Sequence, residues 1–313
     1  MKKDSRRLPR KAGPGPDGSR FEHWRAADDS GEYADLMAAV AVRWARGEAP
    51  EVAYELCRLG RLLTPAKATG GLRPLAITAV FRRIVLRAIC TVATPRAAGV
   101  LGESQYAIGK PSGVERLFHA IRVDHGSAAG RVVVSLDLRN AFGTLSRGVM
   151  AAAVAETFPE LAMLTEKLYR GDTDLLWEGA EGTYHSVAAR AGVGAGCPWS
   201  VFAFCLSVRR VLLHASGVLE QNGVSGVRFR AYMDDVYAVC HESQVSQVLE
   251  AFRGAAAACG MELNDAKLQL WGVGPGGLPE ALRPHAVLRM QKANTLPSSC
   301  GVAAGSLMNS SCR

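Results

Sequence analysis

Asp234 and Asp235 follow Tyr232-Met233 inside a strand-like stretch, residues 227–240, and about a hundred residues upstream the apolar stretch 131–138 delivers Asp137. Carboxylates brought together from two buried strands are what a pair of divalent cations needs to clamp phosphate oxygens during an in-line displacement. Taken singly, each acid has a plainer reading, Asp234-Asp235 as turn chemistry and Asp137 as a strand-ending acid. Three carboxylates on one sheet edge, however, would repel one another strongly without a bound cation.

Residues 131–142 (RVVVSLDLRNAF) begin as a continuous Val-rich run, the pattern of a strand covered on both faces, with Asp137 at its carboxyl end. In the later stretch Val227, Phe229, Ala231 and Met233 alternate with Arg228, Arg230, Tyr232 and Asp234. A period of two therefore puts the acid on the face of two arginines and a tyrosine, lining a cleft floor. A turn at Asp234-Asp235, a strand over 236–240, a helix over 243–259 and a last strand over 267–271 follow. This order is that of a split βαβ unit with a mainly antiparallel sheet. Upstream, Leu36, Met37, Val40 and Trp44 recur at helical spacing within 33–46 before Gly47, and further helices are expected over 51–63 and 81–92. Between the last two, Thr64-Pro65, Lys67, Gly70-Gly71 and Arg73-Pro74 spell a basic hairpin. An alanine-rich helix is expected over 148–158, and the glycine-rich turn 191–198 opens an apolar, buried helix over 199–213.

A chain of 313 residues with 48% hydrophobic content can bury a core in one large domain or two smaller ones. Its formal charge of +8 favours a polyanionic partner. Lys2, Lys3, Arg6, Arg7, Arg10 and Lys11 crowd the N-terminus, a segment that by itself reads as a solvated tail. No stretch reads as long and apolar enough to span a bilayer, and no secretory signal opens the chain, so an intracellular protein with no membrane partner is expected. Eight cysteines without CxxC spacing and seven histidines without ligand-spaced pairs favour buried thiols over a disulfide framework or a structural zinc.

GPGPDG at 13–18, LRPLAITAVFRRIVLRAI at 72–89, ESQYAIGKPSGVERLFHAI at 103–121, LDLRNAF at 136–142, GVGAGCPWS at 192–200, YMDD at 232–235 and GMELNDAKLQLW at 260–271 stand in that order. Together they resemble the motifs of reverse transcriptases (RNA-directed DNA polymerases), most closely those of non-LTR retrotransposons and group II introns. The resemblance implies an α+β fold, the fingers and palm of a polymerase right hand, with the palm a ferredoxin-like split βαβ antiparallel sheet. It implies two-metal nucleotidyl transfer of dNTPs onto the 3′-hydroxyl of a DNA primer along an RNA template. Nuclear residence follows from the same analogy alone.

By that resemblance two Mg²⁺ ions, with Mn²⁺ as a substitute, are held by Asp137, Asp234, Asp235 and the backbone carbonyl of Leu138. Lys67 and Arg73 would hold the incoming triphosphate, lysine as a point charge and arginine as a fork. Phe142 would close on C2′ of the sugar and exclude a 2′-hydroxyl, and Tyr232 would support the primer end. Gly196 in the glycine-rich turn would let the backbone approach the template–nucleotide pair. Lys267 would protonate the departing pyrophosphate or stabilise its charge. The plainer alternatives are a solvated basic hairpin, a core phenylalanine, a packed strand tyrosine and a solvated lysine.

Ala195 stands where the family usually carries glutamine, which removes an amide near the nascent pair. The segments are expected as a basic Gly/Pro-rich stretch over 1–20, fingers over 21–130, a palm over 131–271 and a poorly ordered Gly/Pro/Ser-rich tail over 272–313. No periodicity for a thumb bundle is read in that tail. Two competing readings are a catalytically impaired, nucleic-acid-binding fragment using Arg228, Arg230 and the basic tail, and an RNA-dependent RNA polymerase, against which Phe142 discriminates.

Overall fold

The computed structural model describes residues 12–26, 32–66, 70–72, 74–194, 196–273 and 280–287. Its strands are, in chain order, β1 (Gly60–Leu63), β2 (Leu75–Thr78), β3 (Arg131–Arg139), β4 (Thr173–Glu178), β5 (Tyr184–Ala189), β6 (Arg228–Tyr232), β7 (Asp235–His241), β8 (Glu262–Leu263), β9 (Gln269–Trp271) and β10 (Ala286–Val287). The chain divides into two compact units, each assembled from two stretches: Met1–Pro95 with Leu145–Phe204, and Arg96–Thr144 with Cys205–Arg313. The packing boundaries thus fall inside the segments 21–130 and 131–271.

In the first unit the sheet order is β2-β1-β4-β5. β1 and β2 form an antiparallel hairpin, Gly60 opposite Thr78 through Leu63 opposite Leu75, extended by a bridge between Ala66 and Leu72. This is the basic hairpin expected from the sequence; Lys67 and Arg73 themselves lie outside the described residues. The helix expected over 51–63 is Glu51–Arg58. It stops because Gly60–Leu63 is drawn between two strands, where its backbone groups find partners. Gly60 passes so close to β4 that a Cβ would meet Leu175 Cδ2 at 2.8 Å. The core of this unit joins Trp44 stacked on Tyr54 (5.8 Å), whose hydroxyl donates to the Trp44 carbonyl at 2.7 Å. Arg82, only 3% exposed, donates to the Cys57 carbonyl (2.9 Å) and the Tyr169 hydroxyl (3.1 Å), neutral acceptors that make its burial tolerable.

In the second unit the order is β10-β9-β3-β7-β6, with β8 also on β3. β9, β3, β7 and β6 are all antiparallel neighbours. With β3 central and the β6–β7 hairpin beside it, this is the expected split βαβ sheet. One face carries Val133, Tyr237, Val239 and Trp271 against Leu117 and Ile121 of the helix Gly113–Gly126. The opposite face buries Val132, Val134, Leu136, Ala238 and Cys240 completely, and there Phe229 stacks on Phe252 of the helix Val245–Ala258 at 6.2 Å. Cover on both faces explains the unbroken valine run of β3. The covering helix begins at a glycine because a Cβ on Gly113 would lie 2.1 Å from the Tyr106 carbonyl oxygen and 3.2 Å from the Tyr232 ring.

Two helices outrun their expected lengths: Val80–Leu101, which carries Pro95 inside it, and Pro198–Gln221. Contrary to the sequence expectation, both are long and apolar enough, by length and composition, to cross a membrane. Their apolar content has a packing account within the fold. Trp199, Phe202, Phe204, Leu206, Val208 and Val211 are buried on the one helix, and Val80, Val85, Leu86, Ala97 and Leu101 on the other. The described cysteines form no disulfide; five of them, Cys57, Cys197, Cys205, Cys240 and Cys259, are buried.

Candidate active site

Antiparallel pairing of β3 with β7 sets Asp137 directly opposite Asp235. Facing residues in such a pair have Cα atoms about 4.5–5.5 Å apart, with side chains on the same face. Alternation through Asp234 with a turn at Asp234-Asp235 would put Asp234 on the face of Arg230 and Tyr232; the structure moves the turn one residue earlier. Met233 and Asp234 form a two-residue turn in which Met233 takes φ 54, so Tyr232 is opposite Asp235. A left-handed residue at the first turn position fits the twist of a tight hairpin. Asp235 therefore shares the face of Asp137, while Asp234 occupies the turn's corner, half-buried.

The electrostatics follow from this crowding. Burial first, then the charges of Asp234 and Asp137, push the Asp235 carboxyl up to about 6, with Lys267 opposing. Burial and, secondarily, the Asp234 carboxylate push up the Cys205 thiol. Asp137 is held from the segment after β8: the Asn264 backbone N–H donates to its carbonyl at 2.8 Å and the Asn264 side chain to its carboxylate at 3.1 Å. Lys267, on the short turn Asp265–Lys267, places Nζ 3.2 Å from that carboxylate. Among the described residues no group of three or more His, Cys, Asp or Glu is gathered to metal-ligand closeness. The donor chemistry still fits a hard divalent cation: carboxylates at facing positions of β3 and β7, one acid raised by burial and then by its like-charged neighbours, and an ammonium group supplying positive charge beside Asp137.

The remaining expected residues divide between the units. Leu138 is buried and follows Asp137 on β3; Phe142 is half-buried in the short helix Ala141–Thr144, just after Asn140 at φ 47. Tyr232 packs partly into the cluster around Tyr106, Leu117 and Tyr237, so the packed-aromatic reading holds for part of its ring. Gly196, with φ 103, belongs to the other unit, and Ala195 lies outside the described residues.

Arg230 does not line a cleft floor. It is 8% exposed, bonded to Asp124 at 2.9 Å and to Glu103 at 2.8 Å, and tied also to the Glu103 carbonyl at 2.9 Å. Alternation placed it on the right face, but the helix Gly113–Gly126 covers that face and brings Asp124 to it. Arg230→Ala strands Asp124 and is expected to cost roughly 3 kcal/mol of stability, read from denaturant unfolding with an unchanged m-value.

Two positions went unassigned in the sequence. Asn264 braces Asp137, as described, and Gln105, fully buried, is bonded to the turn that carries Asp234. Both lie inside quoted motifs, but neither residue type announces its partner.

The fold is similar to that of telomerase from Candida albicans, solved in complex with a TWJ fragment of telomeric RNA (TM-score 0.56, 12% identity, covering 75% of this chain and 45% of that one). It is also similar to apo telomerase from Candida tropicalis truncated from its C-terminal domain (TM-score 0.51, 11% identity, 68% and 50%). The chain thus spans half or less of those telomerase chains, and the likeness is one of fold. No curated protein matches the chain. The family model for reverse transcriptase (RNA-dependent DNA polymerase) matches residues 65–287, more than half of the 313, and that span holds Asp137, Asp234, Asp235 and Lys267. The chain belongs to the reverse transcriptase family.

Proposed function

We propose that the chain is the RNA-directed DNA polymerase of a retroelement, of the non-LTR retrotransposon or group II intron type by its motifs. The observation that carries this reading is the register that sets Asp137 against Asp235 with Asp234 in the adjoining turn. Two divalent cations, Mg²⁺ or Mn²⁺, held by Asp137, Asp234, Asp235 and the Leu138 carbonyl would supply Lewis-acid chemistry to a primer 3′-hydroxyl and to the departing pyrophosphate. The chain's own residues do the rest by position. Lys267 is 65% exposed, and an exposed pair is worth only about 0–1 kcal/mol, so it can leave Asp137 to meet phosphate charge. Lys67 and Arg73 would grip the triphosphate from the fingers hairpin, and Gly196 would allow close backbone approach to the nascent pair. Phe142, two residues beyond a left-handed Asn140, would press on the sugar and favour dNTPs over NTPs; Tyr232 would support the primer.

Primer extension on an RNA template, with dNTPs or NTPs and with or without Mg²⁺, tests the reading. Metal-dependent incorporation of dNTPs is expected. Incorporation of NTPs alone would identify an RNA-synthesising enzyme instead, and retention of RNA without any synthesis would favour a nucleic-acid-binding fragment.

A further inference from the structure

The corner that presents Asp234 is held in an unusual backbone conformation, since methionine at φ 54 is a placement that L side chains rarely adopt. Such a residue persists only where its surroundings over-determine it. Gln105 does so. Its side-chain Oε1 accepts from the Met233 N–H at 2.9 Å, and its Nε2 donates to the Met233 carbonyl at 3.2 Å. The one amide thus grips both backbone groups of the left-handed residue.

Gln105 is itself fixed from its own side. The same Oε1 accepts from the N–H groups of Tyr106 and Ala107, at 3.1 and 3.2 Å. Its backbone lies along β6 as a short parallel bridge, with the Tyr106 N–H donating to the Ala231 carbonyl and the Ala231 N–H to the Ser104 carbonyl, both at 2.8 Å. With 0% exposure, the side chain has no competing water. A glutamine is required by the pattern: an acceptor toward three N–H groups and a donor toward one carbonyl, which no carboxylate or aliphatic side chain offers.

From this geometry we infer that Gln105 is a positioning residue of the acid hairpin, setting the Met233-Asp234 turn and with it where the Asp234 carboxylate stands beside the facing pair Asp137 and Asp235. The inference rests on the proposed polymerase reading for its kinetic consequence but not for its structural one.

The test compares the full chain with Gln105→Met, which keeps the volume and loses the bonds, and with Gln105→Ala. Both are expected to lower kcat roughly tenfold or more, the scale on which small misplacement of reacting groups acts, while KM for dNTP stays within about twofold. The Mg²⁺ concentration giving half-maximal rate should rise several-fold. Independently of activity, the Met233 amide should exchange with solvent roughly tenfold faster in both variants, and the rise in Tm on adding Mg²⁺ should shrink. Wild-type kcat and Mg²⁺ midpoint in a variant that has merely lost Tm would overturn the inference, as would unchanged Met233 exchange. If the wild type makes no DNA under any metal, the polymerase reading fails; amide exchange and the Mg²⁺-dependent Tm shift then still decide the role of Gln105.

Discussion

Asp234→Ala is expected to abolish primer extension, with a loss of about a thousandfold or more, while RNA binding changes by less than about threefold. The size of the first effect follows from what the carboxylate would do. It sits in a turn where its charge already acts on neighbouring groups, and nothing of similar chemistry can substitute for it in a site that stabilises developing charge, where single groups are worth about 10²–10³. The smallness of the second follows from chemistry as well, because affinity for nucleic acid comes from basic contacts to phosphates and an acid makes none. Single-turnover extension and filter binding on the same preparation separate the two. A variant retaining even a tenth of the wild-type rate would remove Asp234 from the metal set.

Asp235→Asn should show a trade-off, losing about a hundredfold in synthesis while gaining stability in the absence of metal. The Asp235 carboxyl stands at about 6 in the folded chain against 3.8 for its ordinary value. In this window the folded state holds a proton that the unfolded chain has released, so stability falls as pH rises from about 4 to 6 and the full penalty is carried above 6. Discounted for its partial exposure, the penalty is of order 1–2 kcal/mol, or several degrees in Tm. Asparagine removes the charge and with it the penalty. At pH 7.5 without metal the variant should therefore melt higher than the wild type, and at pH 4 the two should converge. Adding Mg²⁺ should raise the wild-type Tm at pH 7.5, where the acids are ionised, and do little at pH 5. A wild-type protein whose metal-free Tm is flat across pH 4–7 would contradict this account.

How far the sequence reached is best seen at individual residues. The valine run of β3, the acid hairpin and the order of elements around them were legible because each rests on a local signal: period, turn chemistry and length. Asp234 was placed on the strand face because alternation does not fix which two of Met233, Asp234 and Asp235 are spent on the turn. Arg230 read as a surface cation because its partners, Glu103 and Asp124, are more than a hundred positions away. The strand Gly60–Leu63 was read as the end of a helix for a similar reason, since its pairing with β4 joins residues more than a hundred apart. The β4–β5 hairpin was missed outright, β5 being almost wholly exposed, β4 only half-buried, and both weakly patterned. Of the site's supports, Gln105 bonds only backbone groups, which carry no side-chain signature, and Asn264 reaches Asp137 from 127 positions away.

The interleaving of the two units has a consequence for biosynthesis. Residues up to Pro95 belong with Leu145–Phe204, so the first unit cannot close on the ribosome until the latter stretch has emerged, 204 − 95 = 109 residues later. At translation rates of about 5–20 residues per second the nascent chain waits roughly 5–20 s until that whole stretch is out, with β4 as the partner of β1 and Tyr169 as the partner of Arg82. Slowing elongation across 96–144 would lengthen that wait and should lower the soluble yield without altering the finished protein.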